Sequence, residues 1–531
     1  MRVQLMIASA RSATLQPQAT PVAPVQHSLL RKHVWLLLGA AILNVPGITH
    51  VAYIPALLSA ACLALLVQHA ATPRAAMAVG TAFVVLSASM LNYWMVPTLL
   101  HYTGGNWPIA IGCYLASWIL LAPFFAVQFG FFAWLRRRNG GLRREIFNAL
   151  LFAGTWVLME WGRAWLFSAV PWMAFSWGSA LGGNTLLVQP AAFGGIFALT
   201  FLLALPAYLF AAAWRLKKRM PAYCAAAAIV LQLLGGWVAW QRQETAAAQR
   251  PSFRVALVQP ALPAGALWDR QQINGIVQNL LQLNRQAASL HADLNIWTET
   301  IVPWTYRKDD DFVQTLLEPY KGSGTHTLLG MTTEPEAGVG DERTSVYVLN
   351  ASGSVLGRYD KQELLAGAER PFFGGFALPF QSGNATRFVP GRAAPVPTPW
   401  GAAGLLLCNE STIPAPARRA ADAGATWLAV VGNDAWFADT YVALGHFYQC
   451  RIRAVENRKD VVVNINAARA GVIRASGSIT GRFEGFEAAV HAATVQPNPD
   501  HPPSHLFFNL FVVLVMCTTH RFSINRKTKK Q

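Results

Sequence analysis

Charge is what this sequence has least of. Charged residues make up 13% of 531 positions, against 53% hydrophobic residues. A soluble chain carries roughly a quarter of its residues as charges, so the composition excludes a wholly soluble protein. Acidic residues are the scarcer sign, 26 against 43 Lys and Arg, for a net charge of +17. Such an excess can mark a nucleic-acid binder. Here much of it stands beside apolar runs, where anionic lipid head groups account for it, and no nucleic-acid partner is expected. Cysteine is sparse too. Of six, Cys62, Cys113, Cys224 and Cys517 lie in or beside apolar spans, leaving Cys408 and Cys450. That excludes a disulfide framework. No GxGxxG or P-loop pattern and no His or Cys pair at metal-ligand spacing is present, so neither cofactor nor metal is expected.

What is present are 19 Trp, 29 Phe and long uncharged runs in the first half of the chain. Residues 1–30 are Gln-, Pro- and Ala-rich and read as a disordered lead, without the apolar core of a signal peptide. A membrane domain of about seven helices is expected over 31–245, with spans near 33–49, 52–68, 76–99, 108–135, 146–167, 190–213 and 221–240. A further helix is expected at 505–519, followed by a basic cytoplasmic tail at 520–531. Basic clusters test this count. Arg31 and Lys32, Arg74, Arg136 to Arg138, Arg215 to Arg219, and the tail all fall on one side if there are eight spans. Loops 100–107 and 168–189 hold no Lys or Arg. The positive-inside rule then puts residues 251–500 on the side away from the cytoplasm. Within the fifth span, Glu160 and Arg163 share a helix face and are expected to pair, tying spans together. The aromatic loop Val170 to Trp177 is expected at the outer interface.

Residues 251–500 alternate short apolar runs with helical or turn-rich sequence. The runs are Phe253–Val258, Leu294–Trp297, Thr327–Gly330, Ser345–Leu349, Gly404–Leu407, Trp427–Val431 and Val461–Ile465. Apolar residues fall at helical spacing over Gln271–Leu290 and Pro416–Ala423. The pattern implies an α/β domain with helices covering its sheets. Three polar residues stand at or near strand ends: Glu299, Lys361 and Cys408. Together they would suit acyl transfer. The carboxylate takes the thiol proton, the thiolate attacks a carbonyl, and the ammonium favours thiolate and oxyanion. Each also has a plainer reading. Cys408 is a core cysteine at a strand end, Glu299 and Lys361 are solvated loop charges, and Glu369-Arg370 is a surface pair. Trp268 and Trp436 are packing aromatics, and His446 is a structural hydrogen-bonding histidine.

The joint occurrence of these motifs resembles a known family. Trp297-Thr298-Glu299, Tyr359-Asp360-Lys361 with Glu369, and Cys408-Asn409-Glu410 look like the Glu–Lys–Cys set of the nitrilase (carbon–nitrogen hydrolase) superfamily. With membrane spans around such a domain, the chain is similar to the apolipoprotein N-acyltransferases. Further matches are Val258-Gln259-Pro260, Trp268-Asp269, Phe388 to Gly391, Gly432 to Phe437, His446, Arg451, Arg453 and Glu456, with Glu160-Trp161-Gly162-Arg163 and Pro171-Trp172 in the membrane half. The resemblance implies a multi-pass helical domain plus a nitrilase-like α-β-β-α sandwich in a bacterial inner membrane, catalytic side periplasmic. It implies that Cys408 takes an acyl chain from a phospholipid as a thioester. The chain then passes to the α-amine of a diacylglyceryl-modified lipoprotein. Glu299 would be the base and Lys361 the oxyanion partner, with Glu369 and Glu410 orienting them. Trp268, Trp436 and Asn409 would contact substrate.

Two stretches depart from the family pattern. The residue after the nucleophile is usually tyrosine and here is Asn409, and the strand Val461–Asn466 leads into Ala467-Ala468-Arg469, which would bring a new cation toward the site. These departures leave room for a membrane-anchored acyltransferase or amidohydrolase with another acceptor. A scaffold without catalysis is the third reading, opposed by the intact Glu299, Lys361 and Cys408.

Overall fold

The computed structural model describes residues 33–138, 140–264, 272–334, 341–372, 387–392, 394–437 and 440–527, with Leu29. The expected disordered lead and the last residues of the tail lie outside them, as does Trp268. Among the described residues, the first half holds helices α1 (Val34–Thr49), α2 (Tyr53–His69), α3 (Pro73–Leu91), α4 (Met95–Tyr102), α5 (Trp107–Leu135), α6 (Leu142–Leu166), α7 (Ala191–Leu216) and α8 (Arg219–Ala247). Among the described residues, four segments are long and apolar enough to cross a membrane: Pro73–Tyr102, α5, α7 and α8. Helices α1 and α2 are shorter apolar helices, and α6 carries Arg143, Arg144, Glu145, Glu160 and Arg163. Local chemistry sets their ends. Thr72 and Asn106 cap α3 and α5 by accepting from Ala75 N and Ile109 N, each at 3.2 Å, and each cap is followed by proline in the first turn. At the end of α2, Arg136 Nη1 donates to Val67 O at 2.8 Å, so part of the first basic cluster caps a helix C-terminus.

Two expectations in this half are corrected. Glu160 and Arg163 are fully buried but form no direct ion pair among the described residues. Glu160 accepts from Thr200 Oγ1 at 3.1 Å, while Arg163 Nε donates to Ala174 O at 3.0 Å. The tie between spans exists, but each charge makes it separately. Trp177 does not lie at the interface. It stacks on Trp156 at 3.5 Å between ring centroids and donates to Asn44 Oδ1 at 3.0 Å inside the bundle.

The second half is a two-sheet sandwich. Strands β1 (Phe253–Gln259), β2 (Leu294–Ile296), β3 (His326–Thr333), β4 (Asp341–Leu349), β5 (Val355–Asp360), β6 (Arg387–Phe388) and β12 (Ala489–Val495) form one sheet, in the order β12-β1-β2-β3-β4-β5 with β6 on β4. Strands β7 (Ala403–Leu407), β8 (Trp427–Asn433), β9 (Val461–Asn466), β10 (Ala470–Ile473) and β11 (Ile479–Phe483) form the other, in the order β11-β10-β9-β8-β7. Strands β1-β2-β3 and β7-β8-β9 run parallel. The sheets bury Val255, Ile296, Leu328 and Val346 against Leu405, Leu407, Val431 and Val462. Helices α9 (Ile273–Ser289) and α10 (Asp311–Leu317) cover the outside of the first sheet. Helices α11 (Pro414–Asp422) and α12 (Tyr441–Asn457) cover the second. This is the α-β-β-α sandwich. Parallel sheets need both faces covered, which is why β7 to β9 are continuously apolar.

Helix α12 belongs to both halves. Ala443, Phe447 and Cys450 pack on the second sheet, while Ile452 and Val455 join the core of the bundle. Arg451 Nη1 donates to Gly182 O at 3.0 Å, Tyr441 Oη to Leu91 O at 2.9 Å and Ala366 N to Ala169 O at 2.9 Å. The last helix, α13 (Leu506–Lys527), returns to the bundle, where Phe511 packs on Phe201 at 5.5 Å between centroids.

Candidate active site

Buried strand β7 ends at Leu407, and Cys408 opens a 3₁₀ turn, Cys408–Thr412. The backbone there is left-handed, with φ +49° at Cys408. A non-glycine residue held so costs energy that the surroundings must offset, and such strain concentrates at functional positions.

Glu299 lies just beyond β2, in a second left-handed turn at Thr300, φ +45°. It rests flat on β3 because position 330 is glycine. A Cβ at Gly330 would stand 2.9 Å from Glu299 Cα and 3.0 Å from Thr300 N. Lys361 follows β5, its N–H bonded to Thr344 O at 2.9 Å, and its side chain is buried. The lysine Nζ donates to Glu369 Oε1 at 2.6 Å and stands 3.6 Å from Glu299 Oε1. Glu369 therefore pairs with Lys361 and is not an exposed partner for Arg370. Its other oxygen accepts from Leu365 N at 2.8 Å.

Glu410 is fully buried and accepts from four donors. Oε1 takes Gln362 N at 2.7 Å and Glu363 N at 3.1 Å, while Oε2 takes Leu407 N at 2.7 Å and Tyr359 Oη at 2.8 Å. One carboxylate thus joins the segment carrying Lys361 to the turn carrying Cys408. Asn409 Nδ2 adds a bond to Glu363 O at 2.9 Å, and Asn409 Oδ1 is buried without a hydrogen-bond partner among the described residues. Trp436 stacks on Tyr102 of α4 at 4.1 Å between centroids. This brings the Tyr102 phenol into the electrostatic neighbourhood of Cys408, Glu369, Lys361 and Glu299. Arg469, expected to approach the site, instead pairs with Glu484 at 2.9 Å.

Burial governs the protonation of this cluster. It pushes the Glu299 carboxyl up to about 7, opposed by the Lys361 charge and reinforced by Glu369 and Glu410. The Cys408 thiol is held well above its ordinary value by burial and then by Glu299, with Lys361 opposing. For Lys361, burial alone would lower the value. Glu369 and Glu299 outweigh it, so the ammonium persists well above the ordinary lysine range. The arrangement is a permanent cation between two carboxylates, one of them able to hold or release a proton near neutrality.

Cys408 also opens on the bundle. A cavity of about 210 Å³ runs from Cys408, Asn409 and His446 to Trp94, Ala164, Trp172, Phe175, Ile196 and Phe197. Its far wall consists of membrane helices and the loop between α6 and α7. Sequence patterning gives no sign of this cavity, because its walls come from segments hundreds of residues apart. His446 is the hydrogen-bonding histidine expected, but patterning missed its partners Asp434 and the Cys408 turn. The twelve-residue spacing from the Asn433-Asp434 strand end to a histidine one turn into a helix was the available sign.

The sandwich is of the carbon–nitrogen hydrolase class: residues 254–497 match the carbon-nitrogen hydrolase family. Residues 40–209 match the apolipoprotein N-acyltransferase N-terminal domain, so the chain joins a membrane half similar to that family to a carbon–nitrogen hydrolase sandwich. The apolipoprotein N-acyltransferase of Geobacter metallireducens is 29% identical over 79% of this chain and 80% of its own length. That of Methylococcus capsulatus is 29% identical over 78% of this chain and 80% of its own. That of Azotobacter vinelandii is 28% identical over 83% and 85%.

Proposed function

We propose that the protein transfers a fatty acyl chain from a phospholipid, through a Cys408 thioester, to the N-terminal amine of a diacylglyceryl-cysteine lipoprotein. The observation that carries this reading is the placing of Cys408 between a buried Glu299–Lys361 pair and an apolar cavity walled by membrane helices. A lipid acyl chain can enter such a cavity from the bilayer without crossing water.

In the first step Glu299 takes the Cys408 S–H proton, and the thiolate attacks the ester carbonyl carbon. The oxyanion that develops faces the Lys361 ammonium. The carbonyl–oxygen bond to glycerol breaks, and the alkoxide takes the proton from Glu299, leaving as lysophospholipid. In the second step the lipoprotein amine attacks the thioester and Glu299 accepts its proton. The C–S bond breaks and the thiolate is reprotonated. Glu369 keeps Lys361 aimed, and Glu410 fixes the spacing of the two segments. Asn409 and Trp436 border the path by which substrate arrives, and Trp268 is assigned there by family resemblance.

The names of the relatives support lipoprotein as the acceptor class. A bacterial inner membrane with the sandwich on the periplasmic side fits the distribution of basic residues. It also fits exposed Trp35, Trp134 and Trp214 near helix ends, where indoles favour the membrane–water boundary. The test is product analysis. Full-length protein incubated with phosphatidylethanolamine and a diacylated lipopeptide should yield N-acylated lipopeptide, and Cys408→Ala should yield none. Release of free fatty acid without lipopeptide acylation would instead indicate a hydrolase.

A further inference from the structure

We infer that His446 is a positioning residue for the nucleophile: as an imidazolium paired with Asp434, it grips the Cys408 carbonyl and holds the strained turn in register. This deepens the proposed function and rests on Cys408 being the nucleophile.

The argument is a count of donors and acceptors. His446 lies in the second turn of α12, nearly buried, with Asp434 and Ser411 wholly buried beside it. Ring Nδ1 stands 3.0 Å from Asp434 Oδ2 and 3.1 Å from Oδ1. Ring Nε2 stands 3.0 Å from the Cys408 carbonyl oxygen and 2.7 Å from Ser411 Oγ. A carboxylate and a carbonyl only accept. In the neutral tautomer with its proton on Nδ1, the Nε2 lone pair would face the Cys408 carbonyl. In the other, the Nδ1 lone pair would face Asp434. The Ser411 hydroxyl, 2.7 Å from Nε2, can satisfy the Nε2 lone pair only by giving up its own bond to Cys408 O, so the doubly protonated ring alone bonds Asp434 and leaves the Cys408 carbonyl with both donors. Ser411 Oγ–H then donates to Cys408 O at 3.1 Å, so the strained carbonyl accepts twice.

The environment agrees with that state. Burial by itself would lower the His446 value, but Asp434, by charge and hydrogen bond, and the Cys408 carbonyl raise it above the ordinary histidine range. The titratable groups facing the ring are Asp434 at the end of β8, Cys408 in the 3₁₀ turn and Cys450 on its own helix. Glu299, beyond β2, acts from further off. Loss of the imidazolium proton turns an attraction at the Cys408 carbonyl into a repulsion. The turn then relaxes out of its left-handed conformation and the thiol loses its aim. Activity should therefore fall on the alkaline side as His446 deprotonates.

The experiment measures initial rates of Cys408 acylation in full-length protein with phosphatidylethanolamine in detergent, from about pH 6 to pH 9, by intact mass. Wild type should show an alkaline limb. Asp434→Asn should move that limb to lower pH by about one unit or more. His446→Gln, which still offers one N–H to the carbonyl, should lose the limb and acylate about tenfold slower at the optimum. His446→Leu should be slower still. Thermal unfolding of each variant shows whether it folds, and Asp434→Asn serves if the histidine variants do not. An alkaline limb unmoved in Asp434→Asn, or His446→Leu acylating at the wild-type rate, would overturn the inference. Absence of acylation in wild type at every pH would sink the proposed function instead. The same variants would then be read by iodoacetamide alkylation of the Cys408 peptide, where His446→Leu reacting as wild type does would still refute the positioning role.

Discussion

Tyr359 at the end of one sheet donates its hydroxyl at 2.8 Å to Glu410, which follows the last residue of β7 in the other sheet. The same carboxylate holds three backbone N–H groups, from Gln362, Glu363 and Leu407. Every partner is a donor, so an amide cannot replace the acid: its NH₂ would face N–H or O–H groups. Glu410→Gln should destabilise the fold by about 3 kcal/mol through unsatisfied buried donors. It should also slow Cys408 acylation well beyond what that loss of folded protein explains. Chemical denaturation and acylation rates on the same samples check both.

Glu299 supplies a pH dependence. Its carboxyl is raised to about 7, chiefly by burial, and a general base works only when ionised. Acylation should therefore rise with pH through about 7 and fall below it. Glu299→Gln should cost about 10² to 10⁴ in rate and abolish the acid limb. A pH–rate profile of wild type and variant decides.

Gly330 tests whether Glu299, the proposed base, is positioned by close backbone packing. A methyl there would sit 2.9 Å from Glu299 Cα, tighter than real contacts allow. Gly330→Ala should cost about 1–3 kcal/mol of stability by overpacking. It should lower the acylation rate while leaving lipid binding unchanged, as read by a fluorescent phospholipid.

The strands were largely legible from sequence, and the reason is physical. Buried parallel strands such as β7 and β8 must be apolar on both faces, so they read as continuous runs. Strand β5 was missed because it is exposed along most of its length, so no apolar run marks it, although Lys361 stands at its end. Strand β10 is wholly buried but only four residues long and interrupted by Gly471, while β11 is glycine-bearing and half exposed and β12 is only partly buried. Glu299, Lys361 and Cys408 were legible as strand-end polar groups. What joins them was not. The hold of Tyr359, Gln362 and Glu363 on Glu410, the contact of His446 with the Cys408 carbonyl and the cavity each depend on contacts between separate stretches of chain. The expected Glu160–Arg163 pair failed for a related reason: helix spacing puts two residues on one face, but Thr200 of α7 bonds Glu160 and the carbonyl of Ala174, between α6 and α7, accepts from Arg163.

The cavity predicts chain-length discrimination. Ala164 lines its membrane wall, so Ala164→Phe should shorten the space beyond Cys408. Acylation by long-chain donors should slow about tenfold relative to short-chain donors, read by competition between two phosphatidylethanolamines in one reaction. Equal slowing of both would place the acyl chain elsewhere.

The most direct test of the account is the intact mass of the purified chain after incubation with phosphatidylethanolamine, beside Cys408→Ala. The account predicts a mass increase of one acyl group in the wild type, none in the variant, and discharge of the adduct on addition of a diacylated lipopeptide. An unmodified wild type, or an adduct that persists in Cys408→Ala, would contradict it.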